Sequence, residues 1–423
     1  MFDLNKFIYP GVKIKRWVFL FILSLIVFAI GFSGLLGWQL QHIRIEKINI
    51  DSFFYKLQRL KFIDFLLLIL GIAGIILALR RSYFALISMF VSERGKNVFT
   101  NIYKQAKLKR GPKIVAIGGG TGLSTLLKGI KEYTSNLSAI VTVADDGGSS
   151  GRLRKDYHII PPGDIRNCIV ALANEEDILA KLFMYRFTGK GELKGHNFGN
   201  IFITALTNIS GDFPKAINEI SKILSIQGEV LPVSLDNIKL RARLMNKKII
   251  EGQANISKAK NPIEKIEIVP HNCTPYDKAL KALKAADAVV IGPGSLYTSI
   301  IPNLLVPKVK EILGDSKITK IYVCNIMTQP GETDGYSVSD HIKAIFKHSS
   351  NKVIDYVLVN NGIPSETKLK KYRAKNSYLV KIDRNEVKKL GVKLIEKKLF
   401  DDEVYIRHSP YLLANAIMKI LVM

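Results

Sequence analysis

The amino-acid sequence predicts an α/β protein with a Rossmann-like, doubly wound and mostly parallel sheet, preceded by a two-helix transmembrane hairpin. Two long apolar runs lie within residues 1–81, and glycine-rich turns repeatedly join short β-branched runs to helical stretches after residue 112. At 423 residues the chain is long enough for one large α/β domain with an N-terminal appendage. We therefore expect a hairpin at 1–81, an interfacial segment and basic linker at 82–112, and a nucleotide-binding domain at 113–423.

The first apolar run, 17–38, carries no charged residue, has a tryptophan at each end and is long enough to cross a bilayer core of about 30 Å. The second run, 62–79, contains a single acid, Asp64, near its start. A signal peptide is the less favoured alternative, because the first run is too long for an h-region and lacks a small-residue cleavage site. Basic residues before the first run and after the second predict two spans in the cell membrane, with both termini and the main domain in the cytoplasm.

A shorter apolar stretch and a basic linker follow the hairpin. The stretch 82–91 is too short to span a bilayer, so we expect it to lie at the membrane interface. The linker from Lys104 to Lys113 is expected to rest on anionic lipid headgroups, where each cation contributes about 1 kcal/mol.

The predicted domain begins with a strand, a tight glycine turn and a helix in "PKIVAIGGGTGLSTLLKGIKEY". The glycines let a ligand approach the backbone closely, and the amides at the start of the helix form an anion site. The spacing does not fit the dinucleotide fingerprint, because Leu123 stands in place of its last glycine, nor a Walker loop, because no GK[ST] follows. We predict a generic phosphate loop formed by Gly119, Gly120, Thr121 and Gly122.

The sequence "VADDGGSSGRLR" follows the second predicted strand, at the edge where a doubly wound sheet binds its ligand. Asp145 and Asp146 are candidates for contact with a ribose, a base or a metal ion, and Ser149 and Arg152 complete the predicted site in this loop. The alternative is that the acidic pair only caps the next helix, which would not require three glycines and two arginines.

Four further loops combine glycine with polar residues, and we expect them to converge on one crevice. A β-rich insertion at about 228–270 is expected to cover one side of that crevice. The candidates in these loops are Asp164, Arg166 and Asn167 in "PPGDIRN", His196, Asn197 and Asn200 in "GHNFGN", Gly294, Ser295 and Thr298 in "GPGSLYTS", and Asn325, Thr328, Gln329, Glu332 and Thr333 in "NIMTQPGETDGY".

The chain is strongly basic, with 62 lysine and arginine residues against 36 aspartate and glutamate residues and a formal net charge of +26. This excess suits a phosphate-rich ligand or an anionic membrane surface. No nucleic-acid partner is expected, because no arginine-rich tract or nucleic-acid-binding motif stands out. Cys168, Cys273 and Cys324 fit no metal-ligand spacing, so we expect no structural metal and a reducing compartment.

Together, these loops resemble those of the gluconeogenesis factor family, also called YvcK-like proteins, in the CofD-like group that includes 2-phospho-L-lactate transferase. The resemblance rests on "AIGGGTGLS" and the five later blocks, which follow in order, and it extends from Lys113 to about His408. It implies a domain that binds a uridine nucleotide sugar such as UDP-N-acetylglucosamine, with NAD(P) as a further candidate ligand. It also implies a role in cell-wall homeostasis and cell shape during gluconeogenic growth. Members are generally soluble, so the hairpin departs from the plainest form of the family.

Three functions are open at this point. The favoured one is a regulatory protein that binds a nucleotide sugar without turnover, requires no cofactor and signals to a cell-envelope protein. The alternative is a magnesium-dependent transferase of the 2-phospho-L-lactate transferase type, with Asp145, Asp146 and His196 as catalytic candidates, Mg²⁺ on the two aspartates and His408 as a second candidate base. The third is a membrane-tethered scaffold with a vestigial site. Binding is favoured because the motifs match the regulatory family more closely than the transferase and no separate nucleophile is identifiable, and self-association is left open.

Overall fold

The structure is a computed structural model that describes residues 14–42, 51–90, 106–173, 178–259, 261–315, 318–401 and 405–422. These residues fall into two compact units, Met1–Lys104 and Gln105–Met423. Residues 91–105, which include the first two residues of the predicted basic linker Lys104–Lys113, lie outside the described residues.

The first unit contains two long helices, α1 (Ile14–His42) and α2 (Asp51–Phe90). The stretches Arg16–Gly34 and Phe62–Tyr83 have mean hydropathies of 2.4 and 2.8 and are long enough to cross a membrane. Most of their apolar side chains are exposed within the unit. By length and composition, these two helices could therefore span a membrane. Helix α2 continues through the predicted interfacial segment as far as its last residue, Phe90.

Glycines bring α1 and α2 together. A Cβ atom at Gly31 would lie 2.7 Å from the backbone oxygen of Asp64, and one at Gly71 would lie 2.7 Å from the Cα of Phe28. These positions leave no room for a side chain, so the two helices approach each other through their backbones. Small residues at the contact and apolar side chains facing outward are typical of helix pairs that pack in lipid.

Ten strands form two sheets in the described part of the second unit. They are β1 (Ile114–Gly118), β2 (Leu137–Val141), β3 (Glu229–Pro232), β4 (Lys239–Leu244), β5 (Ile249–Glu251), β6 (Ile263–Val269), β7 (Ala288–Ile291), β8 (Thr319–Val323), β9 (Tyr356–Asn360) and β10 (Lys393–Lys397). Strands β1 and β7 are short β-branched runs with every residue buried, as expected at the centre of a sheet that is covered on both faces.

The main sheet has seven strands in the order β10-β9-β8-β7-β1-β2-β3, and all of its pairs are parallel. The chain winds outward from β1 to β3, returns to β7 beside β1, and then winds outward to β10 in the opposite direction. The switch point of the sheet therefore lies between β1 and β7. In doubly wound sheets a ligand binds at this point, beside the carboxyl ends of the strands.

Helices flank the main sheet, and their buried apolar residues form one continuous core with it. The helices of this unit are α3 (Gly120–Ile130), α4 (Gly148–Tyr157), α5 (Gly163–Leu172), α6 (Ile178–Met184), α7 (Phe198–Ser210), α8 (Phe213–Ile223), α9 (Gln253–Ile256), α10 (Asp277–Lys284), α11 (Ile301–Leu305, continuing a π-helix at Leu296–Ile300), α12 (Val309–Asp315), α13 (Val338–His348), α14 (Glu366–Arg373), α15 (Arg384–Lys389) and α16 (Pro410–Val422).

The second sheet is antiparallel, with the strand order β5-β4-β6. The side chains of β4 alternate between exposed and buried, so one face of this sheet packs on the domain. The small sheet and helix α9 occupy most of the predicted β-rich insertion at 228–270. One correction concerns the start of that insertion: Glu229–Pro232 pairs in parallel with β2 and is the edge strand of the main sheet.

Candidate functional site

A cavity of about 340 Å³ opens beside the carboxyl ends of β1, β7 and β8, at the switch point of the main sheet. We call it the glycine-loop cavity. Its volume lies at the lower end of the range for ligand pockets, about 300–1,000 Å³. Its walls are the loops that follow these three strands, the first residue of α9, and the segment before α16.

The glycine loop after β1 brings its backbone to the wall of the cavity. Gly119 is the N-cap of α3 and has no side chain that could cover the first amides of that helix. A Cβ atom at Gly119 would lie 2.6 Å from Oδ2 of Asp164, so only glycine fits here. Gly120 follows with a φ of 64°, in the left-handed region that favours glycine. The geometry is that of an anion site at a helix N-terminus.

The loop after β7 lies directly against the glycine loop. A Cβ atom at Gly122 would collide with the backbone oxygen of Pro293, so this approach requires glycine. Asn325, which follows β8, fixes the β7 loop from the other side. Its side chain accepts a hydrogen bond from the Gly294 amide at 3.2 Å and donates one to the Gly294 carbonyl at 2.8 Å. The three loops are therefore held in a fixed arrangement around the cavity.

Three side chains that line the cavity carry a buried polar atom without a hydrogen-bond partner among the described residues. These atoms are Oε1 of Gln253, Oε1 of Gln329 and Nε2 of His408. Gln329 is nevertheless held in place, because its Nε2 donates to Ser295 Oγ at 2.8 Å. Buried polar groups in folded proteins nearly always have a partner, so these atoms indicate a ligand that supplies hydrogen-bond donors.

His408 presents a neutral acceptor. Burial lowers the pKa of its imidazole to about 4, and a hydrogen bond to the backbone of Cys324 opposes that shift only in part. The ring is therefore uncharged at neutral pH. Since the ring nitrogen facing Cys324 carries the proton, Nε2 offers a lone pair to the cavity.

Asp164 connects the cavity to a neighbouring polar region. It lines the cavity, and its carboxylate accepts a hydrogen bond from the Gly120 amide. Burial, followed by the nearby negative charge of Asp145, raises the pKa of Asp164 to about 7. At neutral pH the group is therefore present in both protonation states, directly beside the predicted phosphate site.

The neighbouring polar region, which we call the Asp145 cluster, lies at the starts of α4, α5 and α7 and outside the cavity lining. Its members are predicted site residues together with Ser150, and they mainly bond to one another. They are Asp145, Ser149, Ser150, Arg166, Asn167, His196, Asn197 and Asn200.

Arg166 forms the centre of the Asp145 cluster. It donates to Asn200 Oδ1 at 2.9 Å and to Asn167 Oδ1 at 2.6 Å. Burial, and then the charge of Arg186, lowers the pKa of Arg166 to about 10, which still leaves it charged at neutral pH. Its charge faces the carboxylates of Asp145 and Asp164. Arg166 therefore holds two buried acids beside one another at the side of the cavity.

The serine and histidine of the cluster are also paired. Ser149 Oγ lies 3.2 Å from His196 Nδ1 and accepts a hydrogen bond from the Asn197 amide at 3.2 Å. Burial and the charge of Arg152 lower the pKa of His196. This histidine thus contacts the start of α4 and does not line the cavity.

The two adjacent aspartates have separate partners. Asp145 accepts a hydrogen bond from the Gly147 amide at 3.0 Å, whereas Asp146 accepts one from the Ala254 amide of α9 at 2.9 Å. A magnesium ion held by this pair would need both carboxylates directed at one point, so the donor set does not fit that predicted site. Among the described residues, no group of three or more His, Cys, Asp and Glu side chains could hold a metal ion.

The two arginines of the same loop are likewise engaged. Arg152 donates to the Lys194 carbonyl at 2.9 Å. Arg154 is buried and donates to Asn237 Oδ1 and to the Ile238 carbonyl, which ties α4 to the chain before β4.

Four more predicted residues are buried beside the cavity and have partners within the protein. Thr298 donates to Glu332 Oε1 at 3.1 Å. Thr333 Oγ1 accepts a hydrogen bond from the Gln329 amide at 2.9 Å, and Thr328 Oγ1 accepts one from another backbone amide at 2.9 Å. These bonds stabilise the loop that places Gln329 in the cavity wall.

The structure thus gathers part of the predicted site into one cavity. The predicted residues that line it are Gly119, Gly120, Thr121, Gly122, Asp164, Gly294, Ser295, Asn325 and Gln329. The remaining predicted residues do not line the cavity, and most of them belong to the Asp145 cluster. Asp146 faces α9 and Arg152 is exposed on α4. The buried residues behind the loop that follows β8 are Thr298, Thr328, Glu332 and Thr333.

The lining also contains five polar residues outside the predicted site, Thr125, Gln253, Ser299, Arg407 and His408, of which the sequence suggests only His408, as a candidate base. Gln253 belongs to the insertion, where no glycine-and-polar block stands out. The segment "IRHSP" does place polar residues just before a helix, the same signal that identified the other loops.

Comparison with known proteins agrees with this architecture. The family model described as 2-phospho-L-lactate transferase CofD matches residues 114–400. A Bacillus subtilis protein named "Gluconeogenesis factor" is 42 % identical to this chain, and the match covers 73 % of this chain and 98 % of that protein. A relative from Clostridium acetobutylicum is 45 % identical over 98 % of this chain and 90 % of its own length.

The chain belongs to the gluconeogenesis factor family.

The relatives differ in length. The Clostridium relative aligns over 424 residues and 98 % of this chain, whereas the Bacillus relative aligns over 313 residues, which is nearly its whole length. The crystal structure of a UPF0052 family protein from Bacillus halodurans is 44 % identical, has a TM-score of 0.71 and covers 73 % of this chain and 99 % of that one. The predicted fold class is confirmed, and a domain of this kind folds without a hairpin.

Proposed function

We propose that the glycine-loop cavity binds a nucleotide sugar, UDP-N-acetylglucosamine or a related UDP-sugar. The observation that carries this proposal is the pairing of two kinds of group in one cavity. The start of α3, where Gly119 supplies no side-chain cap, suits a pyrophosphate, and the unpartnered acceptors of Gln253, Gln329 and His408 suit hydroxyl or amide donors of a sugar and a ribose. NAD(P) carries the same two kinds of group and is the competing ligand.

The charges around the cavity support an anionic ligand. Arg407 lines the cavity and is exposed, and no carboxylate lies within 4 Å of it among the described residues. Asp164 opposes an anion when ionised, but its raised pKa allows it to take up a proton on binding. A protonated carboxyl group also donates a hydrogen bond to a phosphate oxygen.

We further propose that the ligand is bound and not turned over. The catalytic candidates Asp145, Asp146 and His196 do not line the cavity and are engaged by other groups of the protein. The cavity residues instead offer amides and neutral acceptors, which suit binding. These features support a regulatory protein that reports the level of a nucleotide sugar. Such a protein agrees with the role that the family resemblance implies, in cell-wall homeostasis and morphogenesis during gluconeogenic growth.

Binding and turnover can be measured together on residues 105–423. Calorimetry with UDP-N-acetylglucosamine, with and without Mg²⁺, should show binding that NAD(P) displaces only weakly, and chromatography should recover the sugar nucleotide intact. Magnesium-dependent loss of the nucleotide that Asp146→Asn abolishes would favour the transferase, and absence of any binding would favour the scaffold.

Two alanine variants on one helix test the site itself. Gln253→Ala removes an unpartnered acceptor from the cavity and should weaken binding about tenfold, the value of roughly one good hydrogen bond. Asn255→Ala is the matched control, because Asn255 is exposed on α9 and bonds only to the Glu251 carbonyl. Equal affinities for the two variants would place the ligand elsewhere.

We also propose that α1 and α2 tether this member to the cell membrane, with both termini and the main domain in the cytoplasm. The apolar stretches of the two helices and the basic residues that flank them support this topology. The tether would keep the domain near a cell-envelope protein partner. A reporter fused after Met423 should be active only in the cytoplasm, and activity outside the cell would contradict the two-span topology.

A further inference from the structure

One edge of the second unit is strongly basic. Residues 366–398, which include α14, α15 and β10, contain 12 lysine or arginine residues and 4 aspartate or glutamate residues. Among the described strands, β10 pairs only with β9 and forms an open edge of the main sheet. Helix α15 contacts β10 through the Arg384–Glu396 ion pair, and Leu369 of α14 shares an apolar cluster with Phe400, just after β10. We call residues 366–398 the β10 edge.

The four acids of the β10 edge are already engaged within the domain. Glu366 pairs with Arg373, Glu386 with Lys389, and Glu396 with Arg384, at 3.1, 2.7 and 2.6 Å. The fourth, Asp383, accepts hydrogen bonds from serines at the start of α13. These acids therefore pair with both arginines of the edge and with Lys389.

Most lysines of the edge lack such a partner. Eight of them are exposed and have no carboxylate within 4 Å among the described residues: Lys370, Lys371, Lys375, Lys381, Lys388, Lys393, Lys397 and Lys398. Since exposed like charges repel one another, this arrangement costs stability and indicates an anionic partner.

An apolar residue lies at the same edge. Ile363 follows β9 and is 84 % exposed. The preceding residue, Gly362, packs against Lys398, since a Cβ atom at Gly362 would lie 2.9 Å from Lys398 Cγ. A large exposed aliphatic side chain beside cations is typical of surfaces that bind at a lipid interface.

We infer that the β10 edge is a docking surface for the anionic headgroups of a membrane. Lysine is a point charge that suits diffuse attraction to many headgroups, whereas the arginines, which recognise single phosphates through two hydrogen bonds, are already paired here. The same chain carries two helices long and apolar enough to cross a membrane, so a lipid surface is the anionic partner the molecule itself points to. The inference does not depend on the ligand of the cavity.

The test uses residues 105–423, without the hairpin, so that failure of the proposed tether does not affect it. Co-sedimentation with phosphatidylcholine vesicles that contain about one-third phosphatidylserine should show binding that salt weakens, and pure phosphatidylcholine should bind poorly. The combined variant Lys370→Gln, Lys371→Gln, Lys397→Gln and Lys398→Gln should bind anionic vesicles on the order of 1,000-fold more weakly, since each cation contributes about 1 kcal/mol.

A variant with the same change in net charge is the control. Lys281→Gln, Lys284→Gln, Lys308→Gln and Lys310→Gln neutralise four exposed lysines near α10 and α12 and should lower vesicle binding no more than about threefold. Equal losses in the two variants would show a general charge effect and overturn the inference. Equal binding of the wild-type protein to both kinds of vesicle would also overturn it. The inference would fail as well if a short DNA duplex bound more tightly than the anionic vesicles and required the same four edge lysines. Circular dichroism checks that both variants are folded, and Ile363→Ser gives a second test, since it should weaken vesicle binding without altering net charge.

Discussion

The glycine-loop cavity and the Asp145 cluster lie side by side and contain similar residue types, yet their polar groups are used differently. In the cavity, Gln253, Gln329 and His408 each leave a buried acceptor without a partner. In the cluster, Arg166, Ser149 and their neighbours bond mainly to one another, and Nε of Arg166 is the one cluster atom among the described residues that is buried without a partner. A buried group that lacks a partner costs free energy, so it is retained where a ligand supplies that partner. The difference indicates that the glycine-loop cavity binds a ligand and that the Asp145 cluster supports the fold around it.

Asp164 belongs to both regions, and its replacement should have the largest effect. Because the pKa of Asp164 is raised to about 7 in the folded protein, its contribution to stability is full below about pH 4 and is lost as the pH rises through 7. A shift of this size corresponds to about 4 kcal/mol. Asp164→Asn should therefore be more stable than wild type at pH 8, by up to that amount, and nearly equal to it at pH 4.5.

Chemical denaturation of the ligand-free second unit at several pH values measures this effect. Asp156→Asn, at an exposed position of α4, is the control. A constant stability difference between wild type and Asp164→Asn from pH 4.5 to pH 8 would contradict the raised pKa of Asp164.

Arg166 should matter for stability. Arg166→Met keeps much of the volume but removes a buried cation, leaving the Oδ1 atoms of Asn200 and Asn167 without their donor and two acids without a nearby positive charge. We expect a loss of about 3 kcal/mol in the free energy of unfolding. Arg241→Gln, which removes an exposed ion pair with Glu251, should cost less than about 1 kcal/mol. Similar losses in the two variants would mean that the Asp145 cluster does not support the fold.

His408 should matter for binding. His408→Phe retains the ring but removes the acceptor Nε2 together with the donor to the Cys324 backbone, so affinity for the nucleotide sugar should fall about tenfold and stability should fall by about 1 kcal/mol. His271→Phe, at an exposed position, should leave affinity unchanged. Calorimetry and thermal unfolding of the same samples separate the two quantities. A large loss of stability without a loss of affinity would mean that His408 supports the fold, as the residues of the Asp145 cluster do, and does not bind the ligand.

Local sequence determined the elements and the loops of this domain. The apolar run before Gly118 and the helical pattern after Gly122 predict strand, turn and helix without reference to the rest of the chain, because glycine alone permits that turn. The two apolar runs near the N-terminus likewise predict the long helices α1 and α2, since uninterrupted apolar length is a local property.

The tertiary structure decided which polar side chains face the cavity. Asp145 and Asp146 are adjacent in sequence, yet one bonds within the cluster and the other to α9, because the backbone turns between them and each carboxylate finds a different amide. Gln253 and His408 are 155 positions apart, 408 minus 253, and line the same cavity only because the start of α9 and the segment before α16 both lie at the switch point. Residue types and turns are fixed by local chemistry, whereas the direction of a side chain depends on contacts between distant parts of the chain.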